Sequence, residues 1–83
     1  MSEKVRVLYF AIARDATGRN SETVQLDSSI SAGELLNRIV ESHPALGPLR
    51  SALRLSVNRE LVSEDRRVHD GDEVAVLPPV AGG

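Results

Sequence analysis

The residues with the most distinctive chemistry close the chain: Pro78-Pro79-Val80-Ala81-Gly82-Gly83. Two successive prolines fix φ and stiffen the path. Val80 and Ala81 are small and apolar. Gly82 and Gly83 lack a Cβ, so their backbone fits a narrow channel and approaches a reactive centre closely. Fully extended, this stretch reaches at most ~20 Å. That length could carry the terminal carboxylate into another protein's active site. The reacting group would then be the α-carboxylate of Gly83, with Pro78, Pro79, Val80, Ala81 and Gly82 threading the channel. The plain alternative is a frayed terminus, as at the end of most domains.

Other constellations are weaker. Cysteine is absent, which excludes disulfides, a thiol nucleophile and thiolate metal sites. Asp70, Asp72 and Glu73 lack the further ligands of a calcium loop and read as a turn with solvated acids. No metal site is expected. His43 and His69 are isolated, and no G-x-S-x-G elbow or phosphate loop occurs. Arg66-Arg67 reads as a solvated pair, and could also guide an acidic partner groove. The net charge is −2, from 10 basic and 12 acidic residues. Without a basic stretch, a nucleic-acid footprint is not expected. No apolar run reaches a membrane span and no signal peptide opens the chain, so a cytoplasmic location is expected.

The 83 residues suffice for one small domain with a modest core. Lys4–Ala11 is rich in β-branched and aromatic residues and predicts a first strand. Ile12–Asn20 predicts a connection with room for one helical turn. Glu22–Leu26 alternates and predicts a second strand. Ser31 and Glu34 have capping-box spacing, and Ile30 and Leu35 have that of a hydrophobic staple. A helix should therefore start at Ala32. Leu35, Leu36, Ile39 and Val40 give it an apolar stripe, and His43-Pro44 should end it. Leu49 and Leu53 fit a further short turn. Leu53–Val57 and Glu73–Leu77 predict strands, with a short one at Leu61-Val62. Asn58-Arg59 and Asp70-Gly71-Asp72 predict turns. One amphipathic helix must cover one face of one sheet. The expected fold is α+β, a ubiquitin-like β-grasp: a mixed sheet with one main helix packed across one face. Residues 1–77 would form the domain and 78–83 an extended tail.

Alternation sorts the two central strands. The sets holding Arg6 and Glu73 should face away from the helix, since unpaired buried charge is costly. Leu8, Phe10, Ala75 and Leu77 then lie on the open face near the tail exit, with Leu61 as a candidate neighbour. Two readings stay open: a partner surface, or a surface covered by residues 12–20.

Several stretches together carry a family resemblance: Phe10-Ala11, Arg14, Gly18, Leu35-Leu36, His43-Pro44, Val57-Asn58, Leu61-Val62 and above all Asp70 to Gly83. The chain resembles the small subunits of molybdopterin synthase, a family of ubiquitin-like sulfur carriers. The resemblance implies that a ubiquitin-activating-like adenylyltransferase uses ATP to adenylate Gly83. A sulfur donor protein would convert the adenylate to a thiocarboxylate. The tail would insert into the large subunit and give sulfur to cyclic pyranopterin monophosphate. The resemblance also implies that catalytic side chains belong to the large subunit, in an assembly of two small and two large chains. It maps Phe10, Leu61 and Leu77 to the partner surface and implies no bound cofactor. A carrier for thiamine thiazole synthesis and a ubiquitin-like protein modifier are the alternatives.

Overall fold

The computed structural model describes residues 3–78. Strand β1 (Glu3–Tyr9) turns Val5, Val7 and Tyr9 inward, while Arg6 is exposed and Leu8 half-buried. The strand ends at Tyr9, short of the expected Ala11. Phe10 is instead the extended N-cap of helix α1 (Ala11–Thr17), and Ala11 takes a φ of 50°. This helix replaces the expected connection because Ala13 drops into the core, fully buried. Gly18 closes it at φ 74°, a left-handed cap that glycine adopts without steric cost.

Strand β2 (Ser21–Leu26) returns antiparallel to β1, pairing Val24 with Val5 and Glu22 with Val7. After β3 (Ile30–Ser31), helix α2 spans Ala32–Ser42. Its start follows the capping-box expectation in part. The Ser31 Oγ accepts the Glu34 N–H at 3.2 Å, and the Ser31 hydroxyl reaches Glu34 Oε1 at 3.2 Å. Leu35, Leu36 and Ile39 bury the stripe; each such side chain stabilises the fold by about 1.5–3 kcal/mol relative to exposure. His43 caps the C-terminus, and Pro44–Ala52 continues as a 3-10 helix that buries Leu46. The chain then forms β4 (Arg54–Val57), β5 (Glu60–Val62), β6 (Arg67–Val68) and β7 (Glu73–Leu77).

The main sheet has the order β2-β1-β7-β4-β5. Strand β7 is parallel to β1 and antiparallel to β4. Strands β3 and β6 form a separate two-residue ladder, Ile30 opposite Val68 and Ser31 opposite Arg67. With α2 across one face, this is the β-grasp architecture. None of the described helices is long and apolar enough to cross a membrane.

A polar cluster ties β1, β2 and the end of α2 together. The Tyr9 hydroxyl donates to Glu22 Oε2, which also meets His43 Nε2 at 2.6 Å. The Tyr9 and His43 rings meet edge to face, 5.7 Å between centroids. Burial would raise the Glu22 carboxyl, but the hydrogen bonds from Tyr9 and His43 outweigh it and hold the pKa below the ordinary value. Burial first, and then the bond to Glu22, raises the Tyr9 hydroxyl above its ordinary value.

Two turns fix the opposite end of the sheet. Asn58 and Arg59 join β4 to β5 with φ of 51° and 73°. Two positive φ values mark a type I′ hairpin turn, which favours Asn followed by Gly. Asn tolerates this conformation, whereas Arg59 is strained there by on the order of 1 kcal/mol. Asn58 is pinned on three bonds. Its N–H donates to Glu73 O at 2.7 Å, its amide to Asp72 Oδ1 at 3.0 Å, and its Oδ1 accepts the Glu73 N–H at 3.0 Å.

Candidate functional site: the open sheet face and the tail exit

The open face follows from alternation along paired strands. One row crosses four strands: Leu8 lies opposite Ala75, Ala75 opposite Ser56, and Ser56 opposite Leu61. Phe10 and Leu77 stand one residue beyond the Tyr9–Val76 pair. Phe10 is 47% exposed and Leu61 68% exposed. Leu8, Leu77 and Pro78 are half-buried, and Ala75 is buried. A groove of about 400 Å³ runs between Leu8, Phe10, Ala75 and Leu77, with Ser56, Arg59 and Glu73 completing it. No residue from 12–20 lines this groove. Helix α1 instead turns Ala13 into the core and packs against the 3-10 segment. The covering reading is therefore not realised among the described residues.

The expected cluster of Leu8, Phe10, Ala75 and Leu77 lies together in the groove. Leu61 belongs to the same sheet face but stands outside the groove lining. Pro78 is the last described residue of the predicted tail. Pro79, Val80, Ala81, Gly82 and Gly83 lie outside the described residues. The groove reaches Leu77, so it abuts the start of the tail. Large exposed apolar groups grouped on one face of a small domain are a frequent mark of an interaction surface.

The acidic residues below the groove have structural tasks. Asp70 Oδ1 accepts the Lys4 N–H at 2.7 Å, and Asp72 Oδ2 accepts the His69 N–H at 2.8 Å. Burial would raise the Asp72 carboxyl, but the His69 N–H and the Asn58 amide hold it below its ordinary value. Among the described residues, no three His, Cys, Asp or Glu side chains are grouped to hold a metal ion.

Two groove residues were not legible in the sequence. Ser56 stands between Leu55 and Val57 in a short strand, where a small polar residue carries no periodic signal. Arg59 reads as an ordinary turn residue until its backbone conformation is known.

Comparison with known proteins extends this picture. The chain is 37% identical over 82 residues to the molybdopterin synthase sulfur carrier subunit of Chlamydomonas reinhardtii, covering 96% of this chain and 99% of that one. It is 37% identical over 83 residues to the human protein of the same name, covering 96% and 94%. The fold matches the crystal structure of small archaeal modifier protein 1 from Haloferax volcanii with a TM-score of 0.83 at 26% identity, covering 94% and 99%. The ThiS family model matches residues 7–83, from the first strand through the last glycine. With nearly the whole domain and its terminal Gly-Gly inside that match, the chain belongs to the ThiS family.

Proposed function

We propose that this chain is the sulfur carrier subunit of a molybdopterin synthase, and that its working group is the Gly83 carboxylate. The observation that carries this reading is the apolar groove at the start of the tail, in a chain that aligns over 96% of its length with sulfur carrier subunits. A carboxylate is a poor electrophile. Adenylation by an ATP-using enzyme supplies a good leaving group, and sulfide-level sulfur released by a donor then attacks the acyl carbon and displaces AMP, leaving a thiocarboxylate. The open face seats the carrier on each partner in turn, and the tail presents its end to the partner's active site. Sulfur then passes to cyclic pyranopterin monophosphate on the large subunit, in an assembly of two small and two large chains. The absence of cysteine is consistent with a sulfur held on the terminal carbon rather than on a thiol.

The test is the intact mass of the chain isolated from its own organism. The expected result is a population heavier by the difference between one sulfur and one oxygen, localised to Gly83. An unmodified mass that persists after incubation with ATP, the organism's activating enzyme and a sulfur donor overturns the reading. A second reading, protein modification through an isopeptide bond from Gly83, draws on the fold match to the Haloferax modifier. Its signature is a mass increased by a whole protein.

A further inference from the structure

We propose that Arg59 and Ser56 form a carboxylate-binding corner of the open-face groove, and that the partner segment seated there carries an acidic residue beside an apolar anchor. The inference rests on the reading that this face binds the large subunit. Three independent features of the molecule support it.

The first is the turn. Asn58-Arg59 occupies a hairpin bend in which glycine is the favoured second residue, yet an arginine is held there at φ 73°. Backbone strain of this kind persists where the surroundings over-determine it and is frequent at binding sites. The surroundings here are the three bonds from Asn58 to Asp72 and Glu73. They pin the bend to β7 and so fix where the Arg59 side chain begins.

The second is what the two side chains lack. Arg59 is exposed, lines the groove and has no ion-pair partner among the described residues. Ser56 is only 9% exposed, and its hydroxyl makes no hydrogen bond among the described residues. Ser56 lines the groove, so its hydroxyl is free to meet a ligand there. The third is charge. Lys4, Arg6, Arg54 and Arg59 stand on or beside the open face against Asp70, Asp72 and Glu73, giving +1 on a chain of net −2. The remaining surface therefore carries −3, so the groove side is the one that attracts an acidic partner.

A carboxylate fits this corner. It accepts two N–H bonds from the planar guanidinium and leaves a lone pair for the Ser56 O–H. The apolar anchor lies along Leu8, Phe10 and Leu77.

The experiment measures association of the full chain with the large subunit from the same organism, at low and high salt, beside thermal unfolding. Arg59→Gly is the main variant because it removes the side chain and relieves the turn. It should raise Tm while weakening binding about tenfold, and flatten the salt dependence of the association rate. Arg59→Lys should recover only part of the affinity, because its ammonium is not a planar fork. Ser56→Ala should show a smaller loss than Arg59→Gly. Unchanged affinity and salt dependence in Arg59→Gly overturns the proposal. Phe10→Asp separates the two levels. If it abolishes binding while Arg59→Gly does not, the corner fails and the partner face stands. If neither variant affects binding, both fail.

Discussion

Tyr9 and Glu22 make the stability of this fold depend on pH from opposite directions. The Tyr9 hydroxyl ionises less readily folded than unfolded. Its contribution is therefore complete below its unfolded pKa of about 10 and lost as pH rises beyond it. Glu22 has a lowered pKa in the fold. Its contribution is present above the unfolded carboxyl value and lost as pH falls through the folded one. Tyr9→Phe should cost about 1–2 kcal/mol at neutral pH, since it removes a bond to a charged acceptor. It should also flatten the alkaline limb of a urea-unfolding series. An alkaline limb as steep as that of the unmodified protein would contradict this assignment. The sequence could not have shown the cluster. Alternation turns Tyr9 inward, but Glu22 and His43 reach it only through the register of β2 and the end of α2.

At the scale of elements, legibility follows periodicity and capping. Helix α2 begins at Ala32 and ends before Pro44 because both ends carry local chemistry. The hairpin at Asn58-Arg59 and the last strand were equally readable. Helix α1 was underestimated because its inward face within Ala11–Thr17 is little more than Ala13, too small for a clear stripe. The β3–β6 ladder has two residues per strand, below any period. That ladder has a consequence for α2. The Gly33 N–H donates to Glu64 O at 3.0 Å, and a Cβ at Gly33 would meet the Glu64 Cβ at 3.0 Å and Oε1 at 2.8 Å. In an open helix Gly→Ala gains about 1 kcal/mol. Here Gly33→Ala should lose about 1–3 kcal/mol instead, through crowding against the segment that leads to β6. Ser31→Ala should lose about 1 kcal/mol through the cap alone. Denaturant midpoints decide both, and a stabilised Gly33→Ala would show that the Glu64 loop yields freely.

For the whole molecule, folding and the proposed reactivity should be separable. The core is enclosed by α2, the 3-10 segment and the five-stranded sheet, all of which precede Pro78. Deleting Gly82 and Gly83 should leave Tm within about 1–2 °C, since surface changes away from packed features alter stability little, yet abolish adenylation. A deletion variant that unfolds would instead make the last residues part of the fold. Alternation and charge were enough to place the apolar groove beside the tail exit. They could not place Arg59 at its corner, because that depends on a bond network between two turns.

The order of the strands has a mechanical meaning as well. Strand β7 runs between β1 and β4 and is bonded to both. A pull on the chain beyond Leu77, directed along the strand, loads both ladders in shear. Many hydrogen bonds must then give way together, whereas an edge strand pulled sideways unzips one bond at a time. The domain is thereby a firm handle for whatever grips its end: tension on the tail is borne by the centre of the sheet.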